Sequence, residues 1–285
     1  MAKLVLGAPR GNAKHQPGKV ICYMNHKPRK RFGQNFLVDE RVVHAIVAAI
    51  SPRADEQLVE IGPGLGALTW RLLRECGRLD VVELDRDLVE KLTDKFASAE
   101  KLHIHSGDAL KFDFSSLADG NRLRVIGNLP YNISTPLLFH LFEQSFCIKD
   151  MHFMLQKEVV QRLCAEPGGK EYGRLSVMAR YYCDMDHLLD VYPESFHPQP
   201  QVVSSVVRLV PHAEKPLCVA PDILNRVVVA AFSQRRKTLR NALGALFSAG
   251  EIESLSIDPG IRAERLSLAD YGLLADLLSE KQQLG

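Results

Sequence analysis

Short apolar segments alternate with amphipathic ones between residues 57 and 155, and this alternation constrains the fold more than any other feature of the 285-residue chain. The pattern predicts a helix capped by Asp39, then five strands separated by helices. The predicted strands are Gln57–Ile61, Leu79–Leu84, Leu102–His105, Arg124–Gly127 and Met151–Leu155. The helices between them cover residues 67–74, 87–96 and 136–142, with none predicted between the third and fourth strands. Strands that alternate with helices over ~100 residues indicate a doubly wound, mainly parallel α/β sheet.

The remainder of the chain changes character. Residues 187–192 and 204–209 are further strand candidates, which we expect to extend the sheet in antiparallel direction. After Pro211 the patterns are helical over 223–232, 239–247 and 268–278. The sequence therefore predicts three parts: a basic extension over 1–24, an α/β domain over 25–212 and a small all-helical domain over 213–285.

Composition excludes several classes of protein. A hydrophobic fraction of 46% and a charged fraction of 25% are typical of a globular chain and not of a disordered one. No apolar run approaches the ~20 residues of a membrane helix, and no secretory signal is recognisable. None of the six cysteines stands in a C-x-x-C pair, which favours scattered thiols in a reducing compartment. We expect a cytoplasmic protein.

Positive charge is concentrated in two segments. Residues 1–31 contain eight basic residues and no acidic one, which leaves −6 on the rest of a chain of net charge +2. A second cluster consists of Arg235, Arg236, Lys237 and Arg240. Such segments on a mildly acidic body indicate a nucleic-acid partner, with a merely solvated surface as the alternative. Residues 1–23 show no periodicity, which predicts a disordered arm or a natural start at Met24.

A glycine turn follows the first predicted strand. Gly62, Gly64 and Gly66 let the backbone approach a ligand closely, and Glu83 ends the second strand, where a carboxylate can accept both hydrogen bonds of a ribose diol. Dinucleotide enzymes and S-adenosylmethionine methyltransferases share this layout. The turn and Glu83 together predict an adenosine-containing cofactor, and a purely structural turn is the alternative.

The tetrapeptide Asn128-Leu129-Pro130-Tyr131 ends the fourth predicted strand and faces the same crevice. Its chemistry suits a planar aromatic amine. The Asn128 side-chain oxygen and the Leu129 carbonyl can accept hydrogen bonds from the two N–H groups of the amine. Tyr131 can stack on the ring, and Pro130 stiffens the turn. A simple turn is the alternative, but the position at a strand end favours a role in methyl transfer to a base.

Nine motifs are spread along the chain: Arg29–Leu37, Glu60–Thr69, Glu83–Asp85, Gly107–Ala109, Gly127–Ser134, Met154–Glu158, Tyr172–Ser176, Phe196–Ser204 and Phe232–Arg240. By these motifs and by their order, the sequence resembles the ribosomal RNA adenine N6,N6-dimethyltransferases, most closely their small-subunit, kasugamycin-resistance branch. The resemblance implies a Rossmann-like class I methyltransferase domain. Residues 1–23 have no counterpart in the resemblance.

The resemblance implies roles for the matched residues. Those expected to hold S-adenosylmethionine are Gln34, Asn35, Leu37, Gly62, Gly64, Glu83, Leu84, Asp108, Ala109 and Asn128. Those expected to hold the target base are Asn128, Leu129, Pro130, Tyr131 and Phe196. Those expected to contact RNA are Arg29, Lys30, Arg31, Arg235, Arg236, Lys237 and Arg240. Asp108 would accept from the adenine amine of the cofactor or simply cap a turn, and Phe196 would stack on the base or belong to the core.

The implied activity is dimethylation of two adjacent adenosines in a hairpin near the 3′ end of small-subunit (16S) rRNA, by a monomer acting on an assembling 30S particle. A large-subunit enzyme of the macrolide-resistance type, a non-catalytic assembly factor and, least favoured, a nicotinamide dehydrogenase remain alternatives. No metal is expected, because His103 and His105 lack a third ligand at suitable spacing and methyl transfer from a sulfonium needs none.

Overall fold

The computed structural model describes residue 29 and residues 33–284. The predicted extension over 1–24 lies outside the described residues, as do Lys30 and Arg31. The strands are β1 (Phe36–Leu37), β2 (Gln57–Ile61), β3 (Arg78–Glu83), β4 (Leu102–Ser106), β5 (Leu123–Asn128), β6 (Ile148–Gln156), β7 (Cys183–Val191), β8 (Phe196–His197) and β9 (Ser204–Pro211). The helices are α1 (Glu40–Ile50), α2 (Thr69–Glu75), α3 (Arg86–Lys95), α4 (Ser134–Glu143), α5 (Lys157–Leu163), α6 (Arg174–Tyr182), α7 (Pro221–Phe232), α8 (Leu239–Ala242), α9 (Ala249–Ser254) and α10 (Leu268–Leu284).

Seven strands form one sheet in the order β4-β3-β2-β5-β6-β9-β7. The first five of these run parallel, and β9 pairs antiparallel with β6, which confirms the predicted doubly wound sheet and its antiparallel extension. Because β2 to β5 are mutually parallel, their carboxyl ends meet at one edge of the sheet. The glycine turn, Glu83 and Asn128 all lie at this edge.

Helix α1 shows how the local sequence produces an element of the core around the sheet. Asp39 caps the helix, since its side chain accepts a hydrogen bond of 2.9 Å from the Arg41 N–H. The apolar residues recur at three- and four-residue spacing and form one buried face: Val43, Ile46, Val47 and Ile50. That face joins the core cluster that also contains Leu58 and Leu79 of the sheet.

The chain divides into two compact units: residues up to Val160 together with Asp186–Pro211, and Gln161–Met185 together with the residues from His212 onward. The second unit is helical, with α7 packed against α6 and α10. Buried tyrosines close its core, since Tyr181 Oη donates to the Val219 carbonyl and Tyr271 Oη to the Ala263 carbonyl, both at 2.8 Å.

This division differs from the predicted one, because residues 161–185 belong to the helical unit and not to the α/β domain. Seven of the nine residues of α6 are buried, so the helix has almost no polar face. No helix is predicted for this segment from the sequence. The predicted helix over 239–247 is also shorter, because α8 ends at Ala242 and turns follow around Gly244.

Within the described residues, no helix is both long and apolar enough to cross a membrane.

Candidate functional site

A cavity of about 330 Å³ opens at the carboxyl edge of the parallel strands. All of the residues predicted to hold the cofactor line it, as do four of those predicted to hold the base: Gln34, Asn35, Leu37, Gly62, Gly64, Glu83, Leu84, Asp108, Ala109, Asn128, Leu129, Pro130 and Tyr131. The fold therefore brings together segments that are far apart in the chain. Phe196 is the predicted member that does not line the cavity.

The glycine turn after β2 forms one wall. Gly64 has φ +59°, and a Cβ there would lie 3.0 Å from Cε1 of Phe36, so both backbone conformation and packing require glycine. Gly62 has φ +65°, and a Cβ there would meet no atom within 4 Å. The backbone at Gly62 is thus open to the cavity, while the backbone at Gly64 packs against the ring of Phe36.

Glu83 stands at the end of β3 with its carboxylate held by two backbone groups. Oε2 accepts from the Gly64 N–H at 3.2 Å and Oε1 from the Asp85 N–H at 2.9 Å. Burial raises the pKa of this carboxyl above its ordinary value. Each carboxylate oxygen has a second lone pair, so the oriented carboxylate can still accept from a diol in the cavity.

Asp108 follows β4 and does cap a turn, since its Oδ1 accepts from the Leu110 N–H at 3.0 Å. It also lines the cavity. Its Oδ2 makes no hydrogen bond to a residue that the structure describes. The two interpretations of Asp108 are therefore compatible: one oxygen holds the turn, and the other is available to an amine.

Asn128 is the last residue of β5, and its amide has a defined orientation. Its Nδ2 donates to the carbonyl of Asn35 at 3.0 Å, which leaves Oδ1 as the side-chain group able to accept, and the residue lines the cavity. The next residue is anchored as well, because the Leu129 N–H donates to the Met154 carbonyl at 3.2 Å on the neighbouring strand. A turn bond of 3.2 Å from Ile133 N–H to the Pro130 carbonyl closes the tetrapeptide.

The segment before α1 closes the cavity from the other side, tied to the loop after β3. Arg29 pairs with Asp85 at 2.7 Å and also with Asp87, and Gln34 Nε2 donates to Asp85 at 3.1 Å. Two carboxylates hold the guanidinium of Arg29, whose side chain is still 34% exposed, and its contact with RNA stays a prediction. Asp85, which the sequence reasoning left without a role, anchors this segment.

Phe196 differs from its predicted role. It lies in β8, opposite Leu37 of β1, and only 2% of its surface is exposed. Its ring belongs to the core cluster of the first unit. An aromatic side chain packed there has no free face for a base, so the core alternative describes it. The β1–β8 pairing joins residues far apart in sequence, and no local pattern predicts it.

Glu60 also lines the cavity, although the sequence reasoning assigned it no role. It is 2% exposed, and its Oε2 accepts a 2.6 Å hydrogen bond from the Thr69 hydroxyl. Burial, with a smaller contribution from the charge of Glu83, raises the pKa of Glu60 to about 7. An acidic residue in an otherwise apolar strand end, two positions before Gly62, was the available signal.

This shift predicts a pH-dependent stability. Between its ordinary pKa of 4.5 and about 7, Glu60 is protonated in the folded protein and ionised in the unfolded chain, so rising pH weakens folding. Glu60→Gln removes this loss. We expect the free energy of unfolding of the variant, relative to wild type, to rise by up to about 3 kcal/mol from pH 5 to pH 8.

Urea titrations at several pH values measure this difference. Glu75→Gln, an exposed change in α2, is the matched control. A Glu60→Gln difference that is flat with pH would contradict the assignment.

The four basic residues predicted to contact RNA in the helical unit are Arg235, Arg236, Lys237 and Arg240. All are exposed: the first three lie between α7 and α8, and Arg240 is the second residue of α8. None forms an ion pair with a residue in the described part of the chain, and Arg235 donates one hydrogen bond of 2.9 Å to the Lys170 carbonyl. The cluster therefore presents unneutralised charge to solvent.

Comparison with known proteins identifies the family of the chain. Residues 25–280 match the family described as Ribosomal RNA adenine dimethylase. A Ribosomal RNA small subunit methyltransferase A from Methylococcus capsulatus is 62% identical over 87% of this chain and 96% of its own length. The protein of that name from Pseudomonas aeruginosa is 56% identical over 90% of this chain and 96% of its own.

Two solved structures share the fold. A dimethyladenosine transferase from Plasmodium falciparum superposes with a TM-score of 0.76 at 24% identity, covering 87% of this chain and 98% of that one. The 23S rRNA methyltransferase ErmE gives a TM-score of 0.67 at 22% identity, covering 86% of this chain and all of that one. The family match extends over both units of the chain. This chain belongs to the ribosomal RNA adenine dimethylase family.

Proposed function

We propose that this chain transfers methyl groups from S-adenosylmethionine to the N6 amines of two adjacent adenosines, in a hairpin near the 3′ end of small-subunit (16S) rRNA. The substrate is the RNA within an assembling 30S particle, and the protein acts as a monomer. One observation carries the proposal: Glu83 and Asn128 open into the same cavity, with the Asn128 amide turned by Asn35 so that its oxygen is the acceptor.

The cavity fits the cofactor. Glu83 offers a buried, oriented carboxylate for the ribose hydroxyls, and Asp108 offers an oxygen for the adenine amine. The bare backbone at Gly62 leaves space beside them that a side chain would fill. When bound, S-adenosylmethionine supplies a methyl group on a sulfonium, which is already an activated leaving group.

The residues of the tetrapeptide supply alignment. The amine of adenine is a weak nucleophile because its lone pair is delocalised into the ring. Asn128 Oδ1 and the Leu129 carbonyl would each accept a hydrogen bond from one of its two N–H groups, and this would direct the lone pair toward the methyl group. The ring of Tyr131 would stack on the base. The base must leave its helical stack to enter the cavity. Each transfer replaces one N–H by N–CH₃ and releases one proton, so two transfers give the dimethyl product.

The choice of RNA follows the relatives. The proteins 62% and 56% identical to this chain are named as small-subunit methyltransferases, which supports small-subunit rRNA. ErmE, named as a 23S rRNA methyltransferase, is similar only at 22% identity, and that likeness supports the fold alone. The large-subunit alternative is less favoured because of these names and because Leu129 and Asn132 fit the small-subunit branch better. The non-catalytic alternative is less favoured because Glu83 and Asn128 are present and line the cavity.

Labelled methyl transfer tests the proposal. Small subunits that lack the modification, incubated with the protein and isotope-labelled S-adenosylmethionine, should take up four methyl groups on two adjacent adenosines near the 3′ end. Large subunits are the control substrate. Label in large-subunit RNA, or on a single methyl position, would contradict the proposed substrate or the dimethylation.

The helical unit is proposed to bind RNA through its basic cluster. Arg235→Glu with Arg236→Glu should weaken binding to small subunits and lower the slope of log affinity against log salt by roughly one to two units, because phosphate contacts release counterions. Affinity for S-adenosylmethionine should not change, since neither residue lines the cavity. Filter binding at several salt concentrations measures the slope.

Arg74→Glu with Arg122→Glu is the matched control, because it makes the same charge change at exposed positions of the first unit. An equal loss in the control would mean that net charge alone, and not the cluster, governs binding. An unchanged slope in the Arg235 and Arg236 variant would reduce the cluster to a solvated surface.

A further inference from the structure

Two consecutive serines open β9, and each bonds to a different side chain. Ser204 Oγ lies 2.8 Å from the hydroxyl of Tyr131, while Ser205 Oγ donates to Asp190 Oδ1 at 2.6 Å. Successive residues of a strand point to opposite faces of the sheet. Both serines are 0% exposed. They are therefore equivalent in burial and differ in the partner, since only Ser204 contacts a residue that lines the cavity.

Ser204 sits on a rigid support. It is the partner of Gln156 in the antiparallel β6–β9 ladder. The residue before it is fixed too, because its carbonyl accepts a 2.9 Å hydrogen bond from the Lys157 N–H. A buried hydroxyl at the start of a strand whose backbone is paired in this way has little freedom to move. Its position is thus set by the sheet and not by the loop that carries the cavity residues.

Tyr131, in contrast, is attached to a loop, is half-buried, and is 73 residues away from Ser204 in the chain. Its backbone is held by a 3.1 Å hydrogen bond from Ser134 Oγ to its carbonyl. The terminal torsion of a tyrosine side chain is broad, so the backbone does not determine the plane of the ring. Burial raises the pKa of Tyr131, which keeps its hydroxyl protonated and able to hydrogen-bond.

We propose that Ser204 is a positioning residue for the methyl-transfer reaction: its hydroxyl anchors the Tyr131 hydroxyl and so fixes the plane of the ring on which the target adenine stacks. This inference rests on the proposed function. A base stacked on a freely tilting ring would spend much of its time with the amine misaligned. The hydrogen bond restricts the tilt before the RNA arrives, so its contribution appears in the rate of transfer and not in cofactor binding.

Ser204→Ala and Tyr131→Phe each remove one hydroxyl of this hydrogen bond, and both variants keep an aromatic ring at position 131. We expect each to lower kcat on unmethylated small subunits roughly three- to tenfold, the range that a net hydrogen bond implies. The double variant should be no slower than either single one, because both changes remove the same interaction. Calorimetry should give wild-type affinity for S-adenosylmethionine in all three proteins.

Ser205→Ala is the matched control, since it deletes an equally buried hydroxyl from the same strand. It should retain wild-type kcat, whatever its effect on the thermal midpoint. A Ser204→Ala enzyme with unchanged kcat, single effects that multiply in the double variant, or an equal loss of kcat in Ser205→Ala would each overturn the inference. If wild type itself methylates no small-subunit RNA, the proposed function fails. If wild type is active and the Ser204 effects are absent, only the positioning role fails.

Discussion

Asn128→Ala should lower kcat for methyl transfer to small-subunit RNA about 100-fold or more. The side-chain oxygen would accept a hydrogen bond from an N–H group of the target amine, while its Nδ2 donates to the carbonyl of Asn35. Losing one preorganised polar group aimed at the reacting atoms of an active site typically costs ~3 kcal/mol in the transition state. Alanine cannot replace this acceptor, and water in its place would not be oriented.

Labelled methyl transfer under single-turnover conditions measures this loss, and calorimetry should show that affinity for S-adenosylmethionine falls only modestly. Asn121→Ala, an exposed change before the opposite end of β5, is the control. Turnover of Asn128→Ala within threefold of wild type would remove Asn128 from the reaction.

Arg124→Ala should lower the free energy of unfolding of the first unit by about 3–5 kcal/mol, because it strips the partner from a buried carboxylate. The guanidinium is bound to Asp150 at 2.9 and 3.0 Å and to Glu56 at 2.7 Å. It also donates to the carbonyls of Ile50 and Ser51, at 2.7 and 3.2 Å. One side chain thereby ties the end of α1 to β5 and β6.

Denaturant unfolding followed by circular dichroism measures the loss. Arg122→Ala, exposed and two residues away, is the control and should change the free energy of unfolding by less than about 0.5 kcal/mol. A loss below about 1 kcal/mol for Arg124→Ala would mean that water or a neighbouring cation compensates Asp150. Because Asn128 lies on the same strand, activity assays of the Arg124 variant belong well below its thermal midpoint.

Residues at the ends of the parallel strands were predictable for a simple reason. Gly62, Glu83 and Asn128 each end or directly follow a segment that the sequence reveals as a strand, while Asp108, two residues beyond β4, was indicated by the family resemblance. Parallel strands bring their carboxyl ends to one edge, so identifying the strands is enough to place the first three together. The cavity contains all four.

Contacts between distant segments were not predictable in this way. Arg29 and Asp85 are 56 residues apart, and Tyr131 and Ser204 are 73 apart. A basic residue within a basic run gives no sign that a carboxylate will claim it, and two serines at a strand start give no sign of their partners. The burial of Phe196 likewise depends on a two-residue strand paired with β1, which is too short to leave a periodic pattern.

The sequence by itself determined the alternation of strands and helices, and with it the sheet and the edge at which the cavity opens. These follow from local periodicity, whereas the resemblance to a family was needed to indicate cavity residues such as Gln34, Asn35 and Asp108. Only the tertiary structure decided which unit α6 joins, that Phe196 packs in the core, that Arg29 is neutralised and that Tyr131 is anchored. Each of these depends on contacts between residues far apart in the chain. Local periodicity and short motifs reflect the preferences of neighbouring residues only, so they do not reveal such contacts.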